Sequence, residues 1–232
     1  MRAGFLRAPV GTAMSGGSAA VVVGIDVGGA RKGFHAVALG AGAVIDRCRT
    51  ADPQGLARWC AGLGAALVAV DAPGSWGDGG GARPAELALM QVGIPCFASP
   101  SRDQALGHPT NYYGWMLCGE ALYGALEACG YPLADGPPQP DERRCFETFP
   151  HAITALAHRA LGLGPAQARH KRQQRRQLLE RCGVNTAELR GIDWIDAALC
   201  ALAAQRLAAG APCSVYGAVD SGVLLLPSAA AW

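Results

Sequence analysis

The stretch Ala20-Val-Val-Val-Gly-Ile-Asp26-Val-Gly28-Gly29-Ala-Arg31-Lys32-Gly33 decides how the rest of the chain is read. Ala20 to Val23 is a short apolar, β-branched run of the kind that forms a strand buried on both faces. The strand sets one acid, Asp26, near its end and then breaks into Gly28, Gly29 and Gly33. Glycines at such a point let the backbone turn sharply and approach a ligand closely. An acid at the tip of a buried strand is costly unless a cation compensates its desolvation. A metal ion, or a bound phosphate with its metal, meets that need. The competing reading makes Asp26 a buried turn residue that caps the amides of Gly28 or Gly29.

Working outward, Phe34–Leu39 and Val44–Arg49 read as two further strands joined by the short hairpin Gly40–Gly42. Pro53 opens a helix whose Leu56, Trp59, Cys60 and Leu63 form an apolar stripe at helical spacing. Ala66–Val70 returns as a buried strand ending on Asp71. A crossover of this length predicts that the fourth strand lies parallel to and beside the first, which brings Asp26 and Asp71 together. Residues 72–82 form a glycine-rich loop, either a lid over the site or a plain surface connection. Helices are expected at Arg83–Val92 and Asn111–Cys129, with a short strand at Pro95–Ala98 and loop from Ser99 to Pro109. The proline-rich segment Pro132–Asp141 is a connector within one domain. Arg143–Phe149 reads as a strand carrying Glu147, followed by helices at His151–Leu161, Arg169–Cys182 and Gly191–Leu207. In the last of these Asp193 and Asp196 share a face beside an apolar stripe of Ile192, Ile195, Leu199 and Leu202.

Composition narrows the classes. Of 232 residues, 50% are apolar and 16% charged, which describes a globular chain. A net charge of +2 carries no global polyanion signature, so any nucleic-acid surface is local. No apolar run reaches the roughly 18 residues of a membrane helix, so no membrane association is expected. Residues 1–18 lack the apolar core of a signal peptide and read as a flexible tail, with Met14 an alternative start. Residues 19–232 then make a single domain. Nine scattered cysteines without a Cys-x-x-Cys pair read as reduced core residues of a cytoplasmic protein and disfavour zinc.

Five acids stand out: Asp26, Asp71 and Glu147 at strand ends, and Asp193 and Asp196 at the start of a helix that must pack on the sheet. Asp193 suits a cap of the helix N-terminus. Asp196 lies one turn in, beside the apolar stripe, and must be paired or metal-bound if it faces the sheet. Converging carboxylates suit hard divalent cations such as Mg²⁺ or Mn²⁺. Two such ions can activate a water and stabilise the leaving oxygen in phosphodiester cleavage.

Five motifs in order carry a family resemblance: Gly-Ile-Asp-Val-Gly-Gly-Ala-Arg-Lys-Gly, Val-Ala-Val-Asp-Ala-Pro, Cys-Phe-Glu-Thr-Phe-Pro-His, Lys-Arg-Gln-Gln-Arg-Arg-Gln-Leu-Leu and Asp-Trp-Ile-Asp-Ala-Ala-Leu-Cys-Ala-Leu. With the closing Val-Asp-Ser-Gly-Val-Leu-Leu-Leu-Pro, the chain from Val22 to Pro227 resembles the predicted nucleases of the domain-of-unknown-function (DUF) 429 family. The resemblance implies an α/β fold of RNase H-like order, a mixed five-stranded sheet flanked by helices on both faces. It also implies metal-dependent nuclease chemistry, with Asp26, Asp71 and Asp196 as ligands to Mg²⁺ or Mn²⁺ and Glu147 and Asp193 as auxiliary catalytic groups. The absence of an acid from Pro53–Gly64 resembles the Holliday-junction resolvase arrangement rather than ribonuclease H proper. Arg31 and Lys32 beside Asp26, with Lys171 and Arg175 four apart on the basic helix, are the candidate contacts to nucleic-acid phosphates.

Other readings compete. A phosphotransferase of the actin and sugar-kinase type uses a related fold, and Gly24–Gly29 resembles its first phosphate loop. No second glycine-rich phosphate loop follows, and neither the P-loop nor the Gly-x-Gly-x-x-Gly pattern occurs. Pro73-Gly74-Ser75-Trp76-Gly77 nearly spells the nucleophile elbow of a serine hydrolase, but Pro73 replaces its first glycine. A catalytically silent nucleic-acid-binding protein of the same fold would rely on the basic helix, which otherwise is a solvated face. Of the five histidines, His151 near Glu147 alone has a supporting role to offer; His170 belongs to the basic face.

Overall fold

A computed structural model describes residues 20–139 and 141–232, and the tail expected at 1–18 lies outside the described residues. The first strand, β1 (Val22–Val27), is buried at all six positions. It pairs antiparallel with β2 (Phe34–Gly40), which turns through Ala41 and Gly42 into β3 (Ala43–Thr50). Helix α1 (Pro53–Gly62) starts where the sequence signals it, with Pro53 in the first turn and the Asp52 carboxylate accepting from the Gln54 amide at 3.0 Å. It crosses over to β4 (Leu67–Asp71), which lies parallel to β1 with Asp26 level with Asp71.

Beyond β4 come α2 (Pro84–Gln91), α3 (Arg102–Leu106), α4 (Gly114–Ala128) and β5 (Arg144–Glu147). The chain closes with α5 (Pro150–Ala160), α6 (Lys171–Arg181), α7 (Ile192–Ala208), β6 (Cys213–Ala218) and β7 (Gly222–Pro227). The sheet order is β3-β2-β1-β4-β5-β7-β6, mixed in direction.

Seven strands replace the five expected. Both additions come from the end of the chain, where β6 and β7 pair as a hairpin and β7 joins β5 through Glu147 and Leu224. Val223–Leu226 is a short apolar run whose periodicity does not separate strand from buried helix, and only its neighbours in space make it a strand. Pro95–Ala98 is not a strand. Phe97 there is 77% exposed, and residues 95–98 pair with no strand among the described residues. Within the loop expected from Ser99 to Pro109, Ser101 and Gln104 form a capping box that starts α3.

Strand alternation sorts the core into two layers. Val22, Leu67, Ala69 and Phe146 face α5, α6 and α7, whereas Val23, Ile25, Val68 and Val70 face α1 and α4 through Leu56, Leu122 and Leu126. Helix α7 lies directly on β1. A Cβ at Gly24 would overlap the backbone of Ala197 and Ala201, so only glycine allows that approach. No helix among the described residues is long and apolar enough to cross a membrane.

Candidate metal centre

The close seating of α7 on β1 builds the site. Asp26 and Asp71 stand side by side at the ends of parallel strands, and α7 lowers Asp196 onto the same face from its second turn. Oxygens from the three carboxylates lie within 4.8 Å of one another. Asp26 and Asp196 are 7% and 6% exposed, so both charges are held largely out of water.

The electrostatics are those of a crowded, desolvated acid cluster. Burial raises the pKa of Asp26 from 3.8 to about 6; Lys32 opposes that rise, while Asp196 and Asp193 add to it. Burial, reinforced by the charges of Asp26 and Asp196, pushes Asp71 well above the ordinary carboxylate range. Asp196 is raised too, by burial against the pull of Arg175.

Two cations partly answer these charges. Arg175 donates to Asp196 Oδ1 at 2.5 Å, and both side chains are buried. Lys32 Nζ spans Asp26 at 3.2 Å and Asp193 at 2.8 Å. Asp71 has neither kind of help. Among the described residues nothing donates a hydrogen bond to it, and Arg175 and Lys32 reach it only through space. It also lines a cavity of about 320 Å³ whose walls include Phe97, Tyr112, Tyr113 and Trp115. Of the three acids Asp71 alone lines this cavity, which it shares with Glu147.

The other site expectations divide. Glu147 does not join the three acids. It pairs with Val70 rather than Asp71, one residue out of phase, and alternation turns it to the other face of the sheet. There it accepts from Arg83 at 2.6 and 3.0 Å and from the Gly74 amide at 2.7 Å. Glu86 accepts from the same Arg83 and from Ser99, which closes a buried ionic network that pins the glycine-rich loop. Ser75 belongs to it as well, donating to the Ser221 carbonyl and accepting from Arg83. Arg175 is a correction to the basic-face reading, since at 6% exposure and paired with Asp196 it presents nothing to a polyanion. Arg176, half-buried, and Arg172, still exposed, are engaged by backbone carbonyls of residues 186–190. Arg31, Lys32 and Lys171 remain exposed. His151 makes no bond to Glu147; burial, with Arg175 and Lys171 nearby, lowers its pKa.

The family profile described as "Protein of unknown function (DUF429)" matches residues 24–221. The chain belongs to the DUF429 family. No curated protein and no solved structure matches it.

Three functional-site neighbours escaped the sequence reading. Arg83 and Glu86 pair locally, three residues apart, but their link to Glu147 carried no signal because that partner lies 64 residues along the chain from Arg83. His35 did carry one. An antiparallel hairpin closed over Gly28–Gly33 sets His35 opposite Asp26, which is the pairing observed.

Proposed function

We propose that this chain hydrolyses phosphodiester bonds with a divalent cation, Mg²⁺ or Mn²⁺, held by Asp26, Asp71 and Asp196. One observation carries the reading: a carboxylate without a donor, Asp71, sits against two buried carboxylates and faces a cavity. Such an arrangement is unfavourable alone and suits a hard cation with oxygen ligands. The residues fit that group. Arg175 takes one oxygen of Asp196 and leaves the other free, which fixes the carboxylate's orientation as metal ligands require. When bound, the ion would activate water and stabilise charge on the leaving oxygen.

The chain's own residues supply the rest. Arg31, Lys32 and Lys171 are exposed, Lys32 touching the cluster and Lys171 acting on Asp196 through space, and offer local phosphate contacts on a protein whose net charge is only +2. Five neighbouring strands in the order β3-β2-β1-β4-β5, with β2 antiparallel to β1 and β4 parallel to it, support an RNase H-like fold. An acid from α7, and none in α1, favours a resolvase-like arrangement over ribonuclease H proper. All nine cysteines are unpaired, which fits a reducing compartment such as the cytoplasm.

The test is incubation of linear and branched DNA and RNA oligonucleotides with the purified protein, Mn²⁺ and no ATP. Cleavage is expected from the natural sequence and none from Asp71→Asn. Tight ATP binding with no cleavage of any nucleic acid would replace this reading with a phosphotransferase.

A further inference from the structure

On the flank of the cluster opposite Asp71 lies a second group of ligating side chains. His35 faces Asp26 across the β1–β2 ladder, and Asp193 reaches in from the first turn of α7. A ring nitrogen of His35 and carboxylate oxygens of Asp26 and Asp193 all fall within 4.8 Å of one another. His35 is 5% exposed, and its buried Nδ1 has no hydrogen-bond partner. Buried polar atoms are almost always satisfied, so an orphaned nitrogen on an imidazole that also reaches two acids points to a missing partner. Between those acids sits the Lys32 ammonium, the only cation among the described residues that touches both.

Lys32 is placed there by local chain geometry. Its amide donates to the Gly29 carbonyl at 2.9 Å, and the Gly28 amide closes the turn on the Gly33 carbonyl at 3.0 Å. The side chain is 42% exposed, so it is free to swing into water. Its bonds of 2.8 and 3.2 Å are roughly 1 Å longer than the ~2.1 Å a small divalent ion takes to carboxylate or imidazole, so a metal would draw these ligands in.

We propose that Asp26, His35 and Asp193 form a second divalent-cation position, which the Lys32 ammonium occupies and which a metal enters only when Lys32 leaves. Asp26 is common to both positions and bridges them. The imidazole sets the chemistry: nitrogen ligation favours Mn²⁺ or Co²⁺ over Mg²⁺, whereas the all-carboxylate position accepts either. The chain thus resides with one open metal position and one closed by its own lysine. This rests on the metal reading of Asp26, but it does not need Asp71.

The test counts Mn²⁺ bound per chain in the natural sequence and in Lys32→Met, with Lys32→Gln as a second variant should the first fold poorly. The lysine variants are expected to bind one more Mn²⁺ than the natural chain. In pulsed EPR the added ion should show coupling to an imidazole nitrogen that the natural chain lacks. His35→Gln in the Lys32→Met background should remove both the extra ion and the coupling, while Asp71→Asn in that background should leave both. Unchanged stoichiometry, or an added ion without nitrogen coupling, would overturn the proposal. A natural chain that binds no Mn²⁺, beside a Lys32→Met chain that binds one through His35, would refute the Asp71 site and keep this one.

Discussion

Replacing Asp26 by Asn should stabilise the protein when no metal is present, contrary to the usual effect of altering a buried polar residue. The sign follows from proton linkage. Below pH 3.8 the carboxyl is protonated whether the chain is folded or not. Between 3.8 and about 6 only the folded chain keeps the proton, so stability falls as pH rises through that window. Above about pH 6 the ionised group costs the fold about 3 kcal/mol, from roughly two pKa units at 1.36 kcal/mol each. Asparagine removes that cost and eases Asp71 and Asp196, whose charges titrate together with it. Lys32 loses one of two partners, but it is half exposed and keeps Asp193, so the loss is about 1 kcal/mol or less. The net gain of about 2 kcal/mol should raise Tm at pH 8 by roughly 4–8 °C for a chain of this size. Differential scanning calorimetry in EDTA at pH 8 and pH 4 reads both the gain and its disappearance on acidification. Saturating Mn²⁺ should then invert the order. At a hundredfold excess over Kd the natural chain gains about 2.7 kcal/mol, and the variant far less. An Asp26→Asn protein less stable than the natural one at pH 8 without metal, or a gap that does not close at pH 4, would refute the picture of a strained acid cluster.

Three further outcomes follow from the packing. Gly24→Ala should cost about 3 kcal/mol or more by forcing α7 off β1, and should abolish Mn²⁺-induced stabilisation, because α7 carries Asp193 and Asp196; thermal melts with and without Mn²⁺ check both. Arg175→Met leaves a buried carboxylate unpaired and should destabilise by about 3–5 kcal/mol at pH 7 in urea denaturation, with the loss shrinking on acidification as Asp196, already raised by burial, takes up a proton. Glu147→Gln should cost a similar ~3–5 kcal/mol by stranding Arg83, yet leave Mn²⁺ affinity unchanged in calorimetric titration; a tenfold loss of affinity would return Glu147 to the ligand set.

How far the sequence alone reached is clear from particular residues. The pairing of Asp26 with Asp71 was legible because it depends on local signals: a buried apolar run, a glycine break, a capped crossover helix of sufficient length, and a second apolar run ending in acid. Strand periodicity and crossover handedness act over short distances and leave few arrangements open. That Asp196 joins them was legible only as a condition, since a helical stripe states which residues share a face but not what that face meets. The seating of α7 on Gly24 supplied the answer, and it depends on two segments more than 170 residues apart coming into backbone contact. Glu147 shows the opposite case. A strand-end acid looks the same in sequence whether it registers with Asp71 or with Val70, and a shift of one residue sends its carboxylate to Arg83 instead of the cluster. Charge signs in α6 were equally plain in the sequence, but whether an arginine meets water or a buried aspartate is decided by what packs against it. Arg175 meets Asp196, and Lys171, one turn away, meets solvent. Residue type and spacing therefore determined which groups were available for chemistry here. The tertiary structure decided which of them face one another, because desolvation and pairing energies depend on distances that local sequence does not set.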